Sequence, residues 1–292
     1  MLKIIERSKI WFSISLLLIV VGLGFMFTKG LNFGIDFKGG TQVVVNMGGN
    51  FNKAEADTIV HKYASNAITN TVNTTEYEIK ASNLDTAKVD EIVKALEAQF
   101  KLKPNALVSQ NEIGASVGQE LTRDSIIALA VAVIAVLIYV IIRFEADFGI
   151  AAILALLHDV LMTVSVYAIF RITVNTPFIA AVLTIVGYSI NDTIVIFDRI
   201  RSNSKKMRAA TPAEIANTSI KQTMTRSINT TLTTLVSIVA VYFFVPTVRD
   251  FAFPLIVGIV CGAYSSIFIA SPIWCALRNR KTKSKKAKNE IA

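Results

Sequence analysis

Charge is scarce in this sequence. Lys, Arg, Asp and Glu make up 17% of its 292 residues, against about 25% in soluble domains. Hydrophobic residues fill 53% and the mean hydropathy is +0.53, so an ordinary soluble globule is excluded. Cysteine is nearly absent. Cys261 and Cys275 are the two present, and both fall in one apolar run, too far apart along a helix to bridge. A disulfide framework and a CxxC metal site are therefore ruled out. His61 and His158 are the two histidines; they stand far apart, so no metal site is expected. No long apolar run holds a Gly-x-Ser-x-Gly nucleophile motif, and the zinc motif His-Glu-x-x-His is missing, which argues against a hydrolase.

What is present is a set of long apolar runs. Six are long enough for a bilayer, which takes about 20 residues. They cover Trp11–Thr28, Ser125–Ile142, Phe148–Phe170, Phe178–Phe197, Thr230–Val245 and Phe253–Leu277. The first lacks a small-residue cleavage site and reads as a retained helix. The fifth is the weakest, because it opens on Thr-rich sequence.

The few charges are unevenly spread. The N-terminus carries Lys3, Arg7 and Lys9 against Glu6; the segment 198–227 carries seven Lys/Arg against Asp198 and Glu214; the tail 278–292 carries seven against Glu290. Six spans put all three on one side, and the positive-inside rule makes that side the cytoplasm. The opposite side receives the segment 29–124, with ten Lys/Arg and twelve Asp/Glu. The basic excess is thus a topology signal, with anionic lipid headgroups as partners of the KTKSKKAK tail. No nucleic-acid-binding motif organises it.

The expected layout follows. Residues 1–29 form a cytoplasmic N-terminus and first membrane helix, and 30–123 an exported domain. Residues 124–277 form helices two to six with a cytoplasmic loop at 198–228, and 278–292 a basic cytoplasmic tail. Within the exported segment TQVVVNM and TEYEIKA read as strands and ALVSQNEIGA as a third. KAEADTIVHKYASNA reads as a helix capped by Asn52. In DTAKVDEIVKALEAQF, Val89, Ile92, Val93, Leu96 and Phe100 form one apolar stripe. The βαβαβ order predicts a small α+β, ferredoxin-like sheet with helices on one face. Its entrance, GIDFKGGT, holds Gly34, Gly39 and Gly40. It nearly matches a phosphate loop, but Gly40 stands where the lysine is needed and a strand follows instead of a helix. A tight turn leaving the membrane is the better reading.

Ionisable groups inside the spans point to function, because each costs about 3 kcal/mol to insert. Asn191 and Asp192 sit in VGYSINDTIVIF. Arg226, Asn229, Thr230, Thr233 and Ser237 share one face of the fifth run by helical spacing. His158 and Asp159 lie in the third, with Thr163 one turn on. Burial favours the neutral form of a carboxylate and a nearby arginine the charged form. Asp192 beside Arg226 is therefore expected to switch between them; an interhelical hydrogen bond is the plainer alternative. That plainer reading is the stronger one for His158 and Asp159. Gly258 and Gly262, in GIVCG, predict close helix packing.

GIDFKGGT, LHDV, VGYSINDTIVIFDRIR and TRSINTTLTTL together resemble the SecF branch of the SecD/SecF family, within the resistance–nodulation–division superfamily. The likeness covers nearly the whole chain. It implies a multi-pass protein of the bacterial inner membrane that pairs with SecD and works with the SecYEG channel and YajC. Such a complex uses the proton motive force to draw preproteins outward after SecA has pushed them in. The resemblance puts the proton pathway on Asp192 and Arg226, with protons as the coupling ion and no other cofactor. Two alternatives remain: an autonomous proton-coupled small-molecule transporter, and a translocon assembly factor without proton flux.

Overall fold

The computed structural model describes residues 3–291 apart from Asn73 and Asn83, without the side chains of Pro246 and of 282–291. The lipid partners expected for the KTKSKKAK tail therefore fall, apart from Lys281, on side chains outside the described ones.

Six helices are long and apolar enough to cross a membrane. The first is α1, Ser8–Lys29. Between it and the second span lies a small α+β unit. It runs β1 (Asn32–Phe33), α2 (Ile35–Lys38), β2 (Gly40–Asn46), α3 (Lys53–Tyr63), β3 (Ile68–Val72), β4 (Glu76–Ala81), α4 (Thr86–Phe100) and β5 (Leu107–Ile113). The remaining spans are α5 (Ala115–Arg143), α6 (Ala146–Phe170), α7 (Thr176–Lys206) and α8 (Pro212–Phe244), then α9 (Arg249–Ser265) continued by α10 (Ser271–Ile291). A two-residue strand β6, Thr173–Val174, links α6 to α7. One π turn, Ser266–Ala270, joins α9 to α10.

The α+β unit has one strand more than expected. β3 pairs antiparallel with β4, Val72 opposite Glu76, and the sheet order is β3-β4-β2-β5. The element order is thus βαββαβ. β3 escapes the hydrophobic pattern because ITNTV is largely polar, although threonine and valine suit a pleated surface. Inward-facing Val43, Val45, Tyr77 and Ile79 meet Val89, Ile92 and Leu96 of α4 in a closed core. Asn52 caps α3 by accepting the Ala54 N–H, and Asp85 caps α4 through the Lys88 N–H. The helix-free face of the sheet looks across a cleft of about 720 Å³ toward Tyr167, Tyr242 and Phe253 of the helix bundle.

The segment expected as a loop at 198–228 is almost entirely helical. α7 runs on to Lys206 and α8 starts at Pro212, leaving a short connection at 207–211. Thr211 and Glu214 close a capping box there. Ile196, Ile200, Ile215 and Ile220 bury the facing sides of both extensions. At 33 residues, α8 measures about 50 Å, well beyond a hydrocarbon core of about 30 Å.

The two ends of the bundle are tied differently. At one end Asn217 of α8 accepts the Ile4 and Ile5 N–H groups and donates to Glu6. There too Lys281 and Arg278 of α10 reach Asp147 and Glu145 at the start of α6. At the other end sits the α+β unit. Phe148 stacks on Trp274 and touches Phe197 in the apolar centre. α1, α5 and α8 turn Leu17, Ile126 and Val236 outward, as lipid-facing helices do.

Candidate functional site

Glycines set how closely the central helices meet. A Cβ on Gly258 of α9 would lie 2.2 Å from Ile185 of α7, and one on Gly262 would lie 3.0 Å from Ser189. A third close approach, Gly22 of α1 on Ser165 of α6, had no pattern in the sequence to reveal it. This tight contact brings α9 hydroxyls against α6 and α7.

Asp159 lies at the centre and is fully buried. Its Oδ2 accepts Ser189 Oγ at 2.6 Å and Ser265 Oγ at 2.7 Å. His158 Nδ1 lies 2.9 Å from its Oδ1. Thr163 caps the same turn by donating to the Asp159 carbonyl. One turn along α7, Thr193 and Ser266 hydroxyls meet at 2.8 Å. Asp159 thus joins α6, α7 and α9, and both of its carboxyl oxygens have partners.

Asp192 is placed differently. It is half-buried between α7 and α8. Its Oδ1 accepts Ser227 Oγ at 2.7 Å, while its Oδ2 is buried without a partner. The expected pairing with Arg226 is corrected here: among the described residues no ion pair joins them. Arg226 precedes Ser227 by about 100° of helix, so its side chain lies on the outer face and the serine takes the inward position. Its charge still reaches Asp192 through space.

Around Arg226 the outer surface is polar. Asn191, Arg226, Asn229, Thr230 and Thr233 are exposed. Tyr188 ties the seam by donating to the Thr230 carbonyl at 3.2 Å and to Thr234 Oγ1 at 3.3 Å. In an apolar medium such groups need partners or water. The structure thus splits the expected residues into two groups: Asp159 and His158 in a buried knot, where His158 Nε2 has no partner, and Asp192, Asn191, Arg226, Asn229 and Thr233 along an open seam. Sequence reasoning missed Ser189, Ser227 and Ser265, because a lone serine in an apolar run rarely signals more than a bond to its own helix. The small residues beside them, Gly262 above all, were the available signal.

The glycine-rich entrance is a backbone device. Gly34 precedes α2 and its N–H donates to the Val174 carbonyl at 2.8 Å. Gly39 and Gly40 have φ of 76° and 146°, where L residues are strained. A Cβ on Gly40 would meet the Ala81 carbonyl oxygen at 2.6 Å. Among the described residues no three His, Cys, Asp or Glu gather as a metal site would need.

A polytopic helical membrane protein with ionisable side chains within its bundle and one α+β unit between its first two spans is the class so defined. Comparison with known proteins gives the family. Residues 92–280 match the model for the protein export membrane protein SecD/SecF C-terminal region, and residues 24–47 the SecD/SecF GG motif. The chain is 40% identical to the protein translocase subunit SecF of Sebaldella termitidis, over 99% of this chain and 96% of that protein. It is 35% identical to the protein translocase subunit SecDF of Bacillus subtilis, over 97% of this chain and 39% of the relative. The crystal structure of SecDF from Thermus thermophilus, described as a translocon-associated membrane protein, superposes with a TM-score of 0.83 at 36% identity, covering 95% of this chain and 39% of that one. The chain belongs to the SecD/SecF family.

Proposed function

We propose that this chain is the SecF half of a SecDF complex that uses the proton motive force to help preproteins through the SecYEG channel. One observation carries the reading: Asp192 has a buried carboxylate oxygen without a partner, beside the exposed Arg226, on an unpartnered polar seam of α7 and α8. An oxygen without a donor can take a proton with no hydrogen bond lost. Relatives in which this chain aligns to 39% of a longer SecDF protein support a SecD half as the partner that covers the seam. YajC, SecA-dependent preproteins and anionic lipids at the basic tail complete the proposed surroundings. The site is the bacterial inner membrane, with both termini cytoplasmic. The α+β unit is then the exported domain, and its βαββαβ order favours a ferredoxin-like assignment.

In this reading a proton enters from outside, neutralises Asp192 and leaves to the cytoplasm. Neutralisation weakens the attraction of Arg226 and shifts α7 against α8. The membrane potential supplies about 2.3 kcal/mol per charge per 100 mV, enough to bias a two-state element. The test is proton flux in vesicles holding the full complex, with preprotein release measured in parallel. Asp192→Asn should abolish flux and slow release while SecA-driven insertion continues. Normal flux in that variant would falsify the assignment and favour the second reading, an assembly factor in which the Asp192–Ser227 bond merely ties α7 to α8. Cysteine labelling at Ser82 and Ser284 checks the orientation; reaction of the latter with an impermeant reagent in intact cells would reverse it.

A further inference from the structure

The α+β unit touches the helix bundle at few places. Its sheet stands off across the cleft, and α2 leans on the start of α5, where a Cβ on Gly118 would meet the Phe37 carbonyl oxygen at 2.7 Å. The other firm attachment is the turn between α6 and α7. Arg171 ends α6 in a left-handed conformation, φ 55°. Its Nη1 donates to the carbonyls of Lys29 at 2.7 Å and Gly30 at 2.6 Å, where α1 ends. β6 then pairs in parallel with β1, Asn32 opposite Thr173 and Phe33 opposite Val174. Asp36 of α2 accepts the Thr176 N–H at 2.8 Å. Asn175 caps α7 through the Phe178 N–H and donates to Asp250 at the start of α9.

Six consecutive residues thus fasten α6, α7 and α9 to the entrance of the domain. Asp192 lies 16 positions past Thr176 on the same unbroken helix, a lever of about 24 Å. Between that lever and β2 stands only the short helix α2. We infer that Arg171 and Asp36 are positioning residues that transmit movement of α7 to the α+β unit, acting as the coupling joint of the translocation cycle. The inference rests on the function proposed above, and it assigns a task to residues remote from the proton-binding side chain.

The joint makes two separable demands. The first does not depend on function. In the full chain with Cys261 and Cys275 replaced by serine, spin labels at Lys94→Cys on α4 and Leu157→Cys on α6 report the distance between domain and bundle. Arg171→Ala with Asp36→Ala should broaden that distribution about twofold, as a local anchorage opens. Asp36→Asn, which keeps an acceptor oxygen, should restore the narrow one when Arg171 is intact. An unchanged width in the double variant overturns the joint. The second demand concerns the complex with its SecD partner. There the double variant should keep proton flux and its pH profile while preprotein release falls about tenfold, a coupling loss of about 1.4 kcal/mol. Asp192→Asn run beside it should lose flux. Flux and release falling together in the double variant would mark a structural defect and refute coupling. Flux surviving in Asp192→Asn would instead refute the proposed function, leaving the anchorage to be judged by the distances alone.

Discussion

Replacing Asp159 by alanine should cost the bundle stability even though it removes a buried polar group. The side chain has no exposed surface, so the substitution leaves a void among its former partners. Ser189 Oγ loses its 2.6 Å acceptor and His158 Nδ1 its 2.9 Å partner. Ser265 loses a 2.7 Å acceptor but keeps the Gly262 carbonyl at 3.2 Å. Interhelical hydrogen bonds in membranes average about 0.6 kcal/mol by double-mutant cycles. Three of them give about 2 kcal/mol, near the lower edge of what buried orphan donors cost in soluble proteins. Relief from burying the carboxyl group works the other way, but its partners satisfy both oxygens, so their loss prevails. For a chain of this size about 2 kcal/mol corresponds to a melting shift of about 3 °C. Thermal unfolding in a mild detergent measures it. Asp159→Asn, which keeps one acceptor oxygen, should lose about half as much. A wild-type melting temperature for Asp159→Ala would refute the view that this carboxylate binds three helices together.

Gly258→Ala should destabilise by about 1–3 kcal/mol through overpacking, because its Cβ would land 2.2 Å from Ile185; Ile185→Ala in the same chain should recover part of the loss in the same melting assay. Gly40→Val combines a strained φ with a clash on the Ala81 carbonyl; it should cost at least about 1–3 kcal/mol and raise hydrogen exchange along β2, and unchanged exchange would show that the backbone relaxes freely. Burial pushes the Asp57 carboxyl up, but Lys53, Thr69 and Tyr77 together outweigh it and hold the group below the usual carboxylate range. Its contribution to stability is therefore complete above the unfolded value of about 3.9 and lost as pH falls through the lower folded value; calorimetry from pH 6 downward should show a steeper loss for the native chain than for Asp57→Asn.

The six spans were legible because lipid demands long uninterrupted apolar runs, and Asp192 and Arg226 stood out against that background. The helical character of 198–228 was harder to see. Its charges read as a loop, while Ile196 and Ile200, and Ala216 and Ile220, stand at the i, i+4 spacing that long charged helix ends obey as well as soluble ones. β3 was missed because Asn70 and Thr71 blur the alternation in a strand whose identity comes from its partner β4. The carboxylates themselves were legible; what distinguishes them was not. Two of the three partners of Asp159 are serines from other helices, brought in where α9 meets α7 at Gly258 and Gly262, and the one donor on Asp192 is a serine of α8. The role of Arg171 was invisible for the same reason, since its acceptors lie some 140 positions away in the chain.

The π turn at Ser266–Ala270 acts as a phase shifter. A π turn carries one residue more than an α turn, and Ser271 Oγ reaches back five positions to the Ser266 carbonyl. One residue is worth about 100° of rotation about the helix axis. Upstream of the turn, α9 presents Gly258, Gly262 and Ser265 to α7 and α6; downstream, α10 presents Arg278 and Lys281 to Glu145 and Asp147. A regular helix through the same sequence could satisfy one of these faces but would swing the other away by about a quarter turn. The single extra residue lets one continuous rod serve two surfaces that are out of register with each other. A one-residue deletion there would leave a smoother helix and a worse protein.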